Sequence, residues 1–375
     1  MDMVKLYSSF LAASILITSV HSAQQANEDL ILVEENNCFG LLQGRIAGLT
    51  KGRDLAYLRA DFLYLVPYEG GLEYAFSQDS PEPPGIVLDI ALIPTVQNGH
   101  FERIDSKWLP GFRLEAGMRL PVDEWYAYAK WTRIVGDMSS STSIPSLNTG
   151  NLAPIWLGAG STQSGYERAL EASATWNLHY NVADLAVVRS YFSSAQLSVS
   201  VHSGLQGASI NQQFRADYSG GTITTLPTYF KGKNNFQAIG LFGECDMGWY
   251  IAKNWKLMGG FSGSVNFGRY KLQQQVLAAI TDSISSLPYS LHDILNQKEY
   301  RTRFAYEANL GIEWNHFFGG GWGISLNAMY HLVEWLDLNQ LRRFTFANGA
   351  EDRYFFSTNG NLSFQGISAS VGVGY

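Results

Sequence analysis

Over long stretches of this chain apolar and polar side chains alternate at every second residue, the pattern of a strand with two unlike faces. Phe112, Leu114, Ala116, Met118 and Leu120 alternate with Arg113, Glu115, Gly117 and Arg119. Leu170, Ala172, Ala174, Trp176, Leu178 and Tyr180 alternate with Glu171, Ser173, Thr175, Asn177 and His179. The same rhythm carries Trp255 to Phe267, Phe304 to Trp314 and Trp322 to Leu332. It also ends the chain, where Ile367, Ala369, Val371, Val373 and Tyr375 share one face and Ser368, Ser370, Gly372 and Gly374 the other. A half-buried soluble strand shows water long polar side chains. Here many polar-face residues are small, which suits a wall between lipid and a crowded or watery interior. The apolar sets are therefore assigned to lipid.

Length supports that assignment. The runs cover about 10 to 15 residues, whereas strands of soluble proteins have about 5 or 6 and a tilted transmembrane strand needs about 9 to 11. Aromatic residues gather at run ends, at Trp125 and Trp131, Trp249 and Trp255, Trp314 and Trp322, then Tyr375, as in the girdles of a membrane barrel. Connections alternate: long near 77–107, 135–165, 215–233, 270–299 and 337–360, short at Pro121–Asp123, 192–195, Ile251–Asn254 and Gly319–Gly321. No proline interrupts the runs from Arg168 to Gln213 or after Pro288, where it would remove a ladder bond. The predicted fold is all-β: a transmembrane antiparallel up-and-down β-barrel of about 10–14 strands with long outer loops and short periplasmic turns. Ten strands are read directly, and hairpins within 71–93 and 341–357 would raise the number. Gln274–Ser286 has helical spacing and is expected to carry a short surface helix. Pro81–Lys107 is a candidate for a loop folded into the lumen, with an exposed cap as the alternative.

Composition narrows the class. Charged residues are 16% and aromatics 14%, with 37 glycines, which favours β structure. A net charge of −7 without a basic run excludes nucleic acid as a partner. Residues 1–22, with Lys5, the apolar Phe10–Val20 and Val20-His21-Ser22 before Ala23, read as a cleavable signal peptide. Residues 23–54 form an N-terminal periplasmic or lumenal segment, and 55–375 the barrel. The expected location is the outer membrane of a diderm bacterium. Cys38 and Cys245 are the two cysteines, read as unpaired thiols.

Several stretches resemble the pore-forming outer-membrane proteins typified by the Legionella major outer membrane protein, which has relatives in chlamydia-like bacteria. The resemblance lies in Ala60–Ala75, Gly111–Thr132, Trp176–Phe192, Ser203–Phe214, Asn234–Ile251, Asn254–Gly268 and Ser363–Tyr375. It implies a β-barrel porin passing small solutes or ions, without catalytic residues or cofactors. Members often end in Phe, while this chain ends in Tyr375. Val371, Val373 and Tyr375 keep the spacing of a C-terminal signal for the barrel assembly machinery.

No metal-binding spacing and no GxSxG elbow occurs in the sequence. His179 and His202, with Asp184 near in sequence, are placed on the interior face. Isolated histidines without an oriented third partner read as lumen lining rather than catalysis. The pore-lining candidates are Arg59, Asp61, Arg113, Glu115, Arg119, Glu171, His179, His202, Glu244, Asp246, Arg301, Arg303, Glu307 and Glu313. Their mixed signs suit both a charged pore and cross-strand ion pairs. The function expected is passive diffusion of small solutes or ions, with outer-membrane lipid as surroundings and a homo-oligomer compatible with the class. The alternative is a closed-barrel adhesin or structural protein acting through long loops such as Met138–Pro154.

Overall fold

The computed structural model describes residues 56–78, 99–122, 125–147, 150–157, 168–192, 194, 196–221, 223, 227–281, 288–318, 321–347 and 352–375. The predicted signal peptide, the segment 23–54 with Cys38, and residues 81–98 of the candidate inward loop lie outside them. The strands run β1 (Ala56–Glu69), β2 (Ala75–Gln78), β3 (Gly99–Glu102), β4 (Leu109–Arg119) and β5 (Tyr126–Ser143). Then come β6 (Asn151–Pro154), β7 (Glu171–Phe192), β8 (Leu197–Ser219), β9 (Thr228–Ala252) and β10 (Trp255–Thr281). The last are β11 (Pro288–Phe317), β12 (Gly323–Asn339), β13 (Arg342–Ala347), β14 (Asp352–Ser357) and β15 (Gly360–Gly374).

Ten of them close into a barrel in the order β1-β15-β12-β11-β10-β9-β8-β7-β5-β4. Of the candidate hairpins, 341–357 forms β13 against β14 apart from the wall, while the described part of 71–93 gives β2 alone, which sits between β3 and β6 in a separate sheet. No helix occurs among the described residues. Gln274–Thr281, expected to be helical, continues β10 against β11 as far as Thr281 opposite Pro288. Ladder pairing of a long hairpin overrides the local helical spacing here.

Several predicted loops are likewise strand. β10 has 27 residues and β11 has 30, so more than half of each rises beyond what a bilayer needs. The wall records where the bilayer stops. Ala129, Leu185, Leu205, Leu241, Val265 and Phe304 are successive register partners with outward side chains. Four residues further along the strands, the outward row is Arg133, Asn181, Ser209, Gln237, Arg269 and Tyr300. Below this boundary row the outside is apolar and the inside polar; above it the sense reverses.

The apolar belt has the right height. From Trp255 to Phe267 on β10 it runs 13 residues, about 40 Å along the strand and about 30 Å along the axis at the usual tilt. Aromatics edge it at both ends, with Trp322 against Tyr375 at the short-turn end (4.9 Å). Phe112 against Trp131 (5.1 Å) and Tyr64 against Trp108 (4.9 Å) mark the other. β15 carries Ile367, Ala369, Val371 and Val373 outward with Ser368, Ser370, Gly372 and Gly374 inward. The small inner residues make room for neighbours. A Cβ on Gly260 would lie 2.1 Å from Asp246 Oδ1, and one on Gly372 would lie 2.3 Å from Ser325 Oγ.

One facing assignment is corrected. Ala172, Ala174, Trp176, Leu178 and Tyr180 on β7 are buried inside the barrel. Glu171 and His179 therefore point outward to solvent and do not line the lumen. This part of β7 stands above the boundary row, where water is outside and the apolar face must turn in. Cys245, on the outward side of β9, is a free thiol.

Candidate functional site

Within the belt the lumen is filled by a layered network of charge. Arg59, Glu115, Lys130, Asp184 and Gln206 follow one another as register partners, alternating in sign until the final amide. Strand alternation alone turns these residues to the inner wall, since each is one step from an outward apolar neighbour. Arg59 Nε donates to Asp61 Oδ1 (2.8 Å) and Tyr57 Oη to Glu115 Oε1 (2.8 Å). Lys130 Nζ lies 3.3 Å from Asp184 and 3.6 Å from Glu244. Nearer the short turns, Lys256 and Glu313 pair at 2.9 Å, both nearly fully buried.

Two assemblies link strands that are not paired to each other. Arg113 Nη2 on β4 donates to both Glu307 oxygens on β11, at 3.0 and 3.2 Å, although four strand steps separate them around the wall. Glu307 Oε1 meets His331 Nδ1 at 2.9 Å, and His331 Nε2 meets Ser368 Oγ at 2.8 Å. The second is Tyr128 Oη to His202 Nδ1 (2.9 Å), with His202 Nε2 3.2 Å from Asp246.

The Glu307–His331–Ser368 row has the order of a hydrolase triad. It lacks the other parts such chemistry needs. Ser368 and His331 are 4% and 2% exposed, and Ser368 sits inside a regular ladder between Leu63 and Met329. Its neighbouring backbone N–H groups are therefore committed to the sheet, leaving no oxyanion donors or approach for a substrate.

Among the network residues lies a small cavity of about 30 Å³, bordered by Arg113, Lys130, Asp184, Gln206 and Glu307. Its roof is aromatic. Tyr180 on β7 and Trp335 on β12 are diametrically opposed in the barrel, yet the indole N–H donates to the phenol oxygen at 3.2 Å. Phe364 packs on Tyr180 (4.9 Å) and Phe236 on Trp335 (6.3 Å). The apolar inner face of the projecting wall continues from there in one cluster with the inserted segments.

Those segments form a plug. Trp156, just after β6, stacks on Phe230 (4.3 Å) and packs on Phe214 (5.2 Å). Its N–H donates to the Glu73 carbonyl (2.7 Å), and the Arg343 guanidinium covers its ring at 4.9 Å. Tyr218 Oη donates to the Tyr74 carbonyl (2.6 Å), tying β8 to the segment before β2. The described part of the candidate inward loop, 99–107, contributes β3, and Ile104 packs against this core. Glu69 stands out within it, for it is buried with both carboxylate oxygens unpartnered among the described residues. Burial holds its pKa well above the usual carboxylate range.

Of the predicted lining residues, Arg59, Asp61, Arg113, Glu115, His202, Glu244, Asp246, Glu307 and Glu313 belong to the interior network. Arg119 faces inward near the short turns. Arg301 and Arg303 face inward higher up, on Glu299 (2.6 Å) and Tyr270 Oη (2.9 Å). Sequence reasoning did not single out Lys130, His331 or Ser368. Parity in Trp125–Thr132 and in Trp322–Leu332 would have placed the first two inside.

No curated protein sequence matches the chain. Solved structures similar to it are outer-membrane barrels. The outer membrane protease OmpT of Escherichia coli aligns at 8% identity and TM-score 0.35, over 87% of this chain and 98% of that one. The Pseudomonas putida toluene transporter TodX aligns at 9% identity and TM-score 0.29, over 87% and 90%. The Ralstonia pickettii toluene transporter TbuX aligns at 9% and 0.22, over 86% and 90%. The family described as Legionella pneumophila major outer membrane protein precursor matches residues 54–373. With that match and a closed barrel, the chain belongs to the Legionella major outer membrane protein family and is an outer-membrane β-barrel.

Proposed function

We propose that this barrel is a narrow channel for small ions and polar solutes, closed in the described state by the aromatic roof and plug. The observation that carries the reading is the belt interior, where residues of both signs surround a cavity that ends at the roof. Buried ion pairs are a poor way to stabilise a wall, since apolar packing does as well or better. A permeation path, by contrast, needs charged lining. Small solutes would enter between the long-loop hairpins once the plug withdraws.

The test is single-channel conductance of the purified protein in a planar lipid bilayer, beside the double variant Tyr180→Ala, Trp335→Ala. The reading predicts infrequent discrete steps for the parent and frequent, larger steps for the variant. Folded variants that never conduct would overturn it.

The extent of the plug favours one second reading, a closed surface protein working through its long-loop end, and absence of conductance in both proteins would select it. We infer no enzymatic role. The buried Ser368 and its ladder-bound backbone support that inference.

A further inference from the structure

The outer wall just above the belt is unevenly charged. Arg269, Lys271, Lys298 and Lys233 stand within three register rows of the boundary on β9, β10 and β11. The other outward positions of those rows on β8 to β11 are Ser, Asn, Gln and Tyr, with no acid among them. On the neighbouring strand β12 the outward Glu334 is already engaged, accepting hydrogen bonds from Tyr306 and Asn361.

Lys271 and Lys298 are direct register partners, both exposed. Their Cβ atoms are thereby set about 5 Å apart. Like charges placed so repel, and neither forms an ion pair with a described residue. Arg215 and Lys231 repeat the arrangement further out. There Asp217 takes Arg215 at 2.6 Å, leaving Lys231 without an acid. A surface with no ligand has no reason to oppose cations twice on one face.

We propose that this patch binds the phosphates of an anionic lipid in the outer leaflet, Lys271 and Lys298 holding one phosphate between them with Arg269 and Lys233 beside it. Position selects a lipid, because Phe267 and Phe304 immediately below face the acyl layer. A headgroup phosphate at the belt edge neutralises the opposed pair while its chains lie along the belt. The proposal rests on the long-loop end facing outward, which is read separately by labelling intact cells carrying Asn235→Cys with a membrane-impermeant reagent.

Binding of bisphosphorylated lipid A to the detergent-purified full-length protein, read by native mass spectrometry, tests the patch whether or not the barrel conducts. The double variant Lys271→Gln, Lys298→Gln should lose about 25-fold in affinity, at about fivefold per lysine. Dephosphorylated lipid A should bind the parent no better than it binds the variant. Unchanged affinity in the variant would overturn the proposal, and so would displacement of lipid A by millimolar inorganic phosphate. If the double variant does not fold, Lys298→Gln alone serves, since lipid A should then raise its melting temperature less than the parent's. An equal rise would overturn the proposal too.

Discussion

The lower and upper parts of this barrel continue one two-residue alternation along shared strands, yet they meet opposite surroundings. Below the boundary row Leu241, Val265 and Phe304 are outside and Asp184, Glu307 and Glu313 inside. Above it Asn211, Lys233 and Lys271 are outside, and Phe236, Tyr270 and Trp335 inside. In lipid the backbone must be fully paired and the apolar face turned out. In water the same closed wall is stable only if the apolar face turns in and finds something to pack on. The plug residues Tyr74, Leu152 and Trp156 supply that partner. The projecting half is therefore a soluble β-barrel core continuous with a membrane barrel, and plugging follows from its length.

The largest expected effect that sharpens the contrast is in the upper core. Trp335→Ala removes a fully buried side chain spanning the barrel and should cost about 3–5 kcal/mol in urea unfolding. Trp322→Ala at the exposed belt edge should cost far less. Next is polarity on the wall: Leu310→Arg, outward in the belt and 62% exposed, should cost about 2–4 kcal/mol. Asn235→Arg, outward above the boundary, should stay within about 0.5 kcal/mol. Equal costs in bilayers would remove the distinction between the two halves.

A smaller effect concerns Glu69, which lies beyond the belt, opposite Leu362 and five residues past Ile367. Its folded pKa is raised by burial, so the folded state keeps a proton that the unfolded chain has already released. Its cost is absent below the unfolded value of about 4.3 and grows as pH rises toward the folded value. Glu69→Gln should therefore stabilise the protein at neutral pH by about 1–3 kcal/mol, with the gain vanishing below about pH 4. Unfolding curves at both pH values check this.

Much of the lower half was legible because lipid simplifies the code. The outward sets of Phe112–Met118, Trp255–Phe267, Phe304–Trp314 and Ile367–Tyr375 lie where alternation places them. Period-2 alternation reports two faces without saying which is inside, and Leu170–Tyr180 shows the cost. A signal was present in the phase. On β7 the apolar parity is even through Val182 and odd from Ala183 to Val187; on β10 it is odd through Phe267 and even from Tyr270. Each switch falls at the boundary row. The plug was illegible for a different reason, since Trp156 and Tyr74 meet Phe230 and Tyr218 only after the barrel closes. The Glu307–His331–Ser368 row joins three neighbouring strands, and only their register sets the three side chains in line.

The most direct test of the inverted wall is a nitroxide scan along the outward positions of β10 in lipid bilayers, in a background with Cys38 and Cys245 replaced by serine. Collisions with oxygen should dominate at Leu257, Phe261, Val265 and Phe267, and collisions with a water-soluble nickel chelate at Arg269, Lys271 and Gln273, crossing over between Phe267 and Arg269. A lipid-like profile continuing through Gln273, or a water-like one beginning at Phe261, would contradict the division of the barrel into a membrane half and a projecting, plugged half.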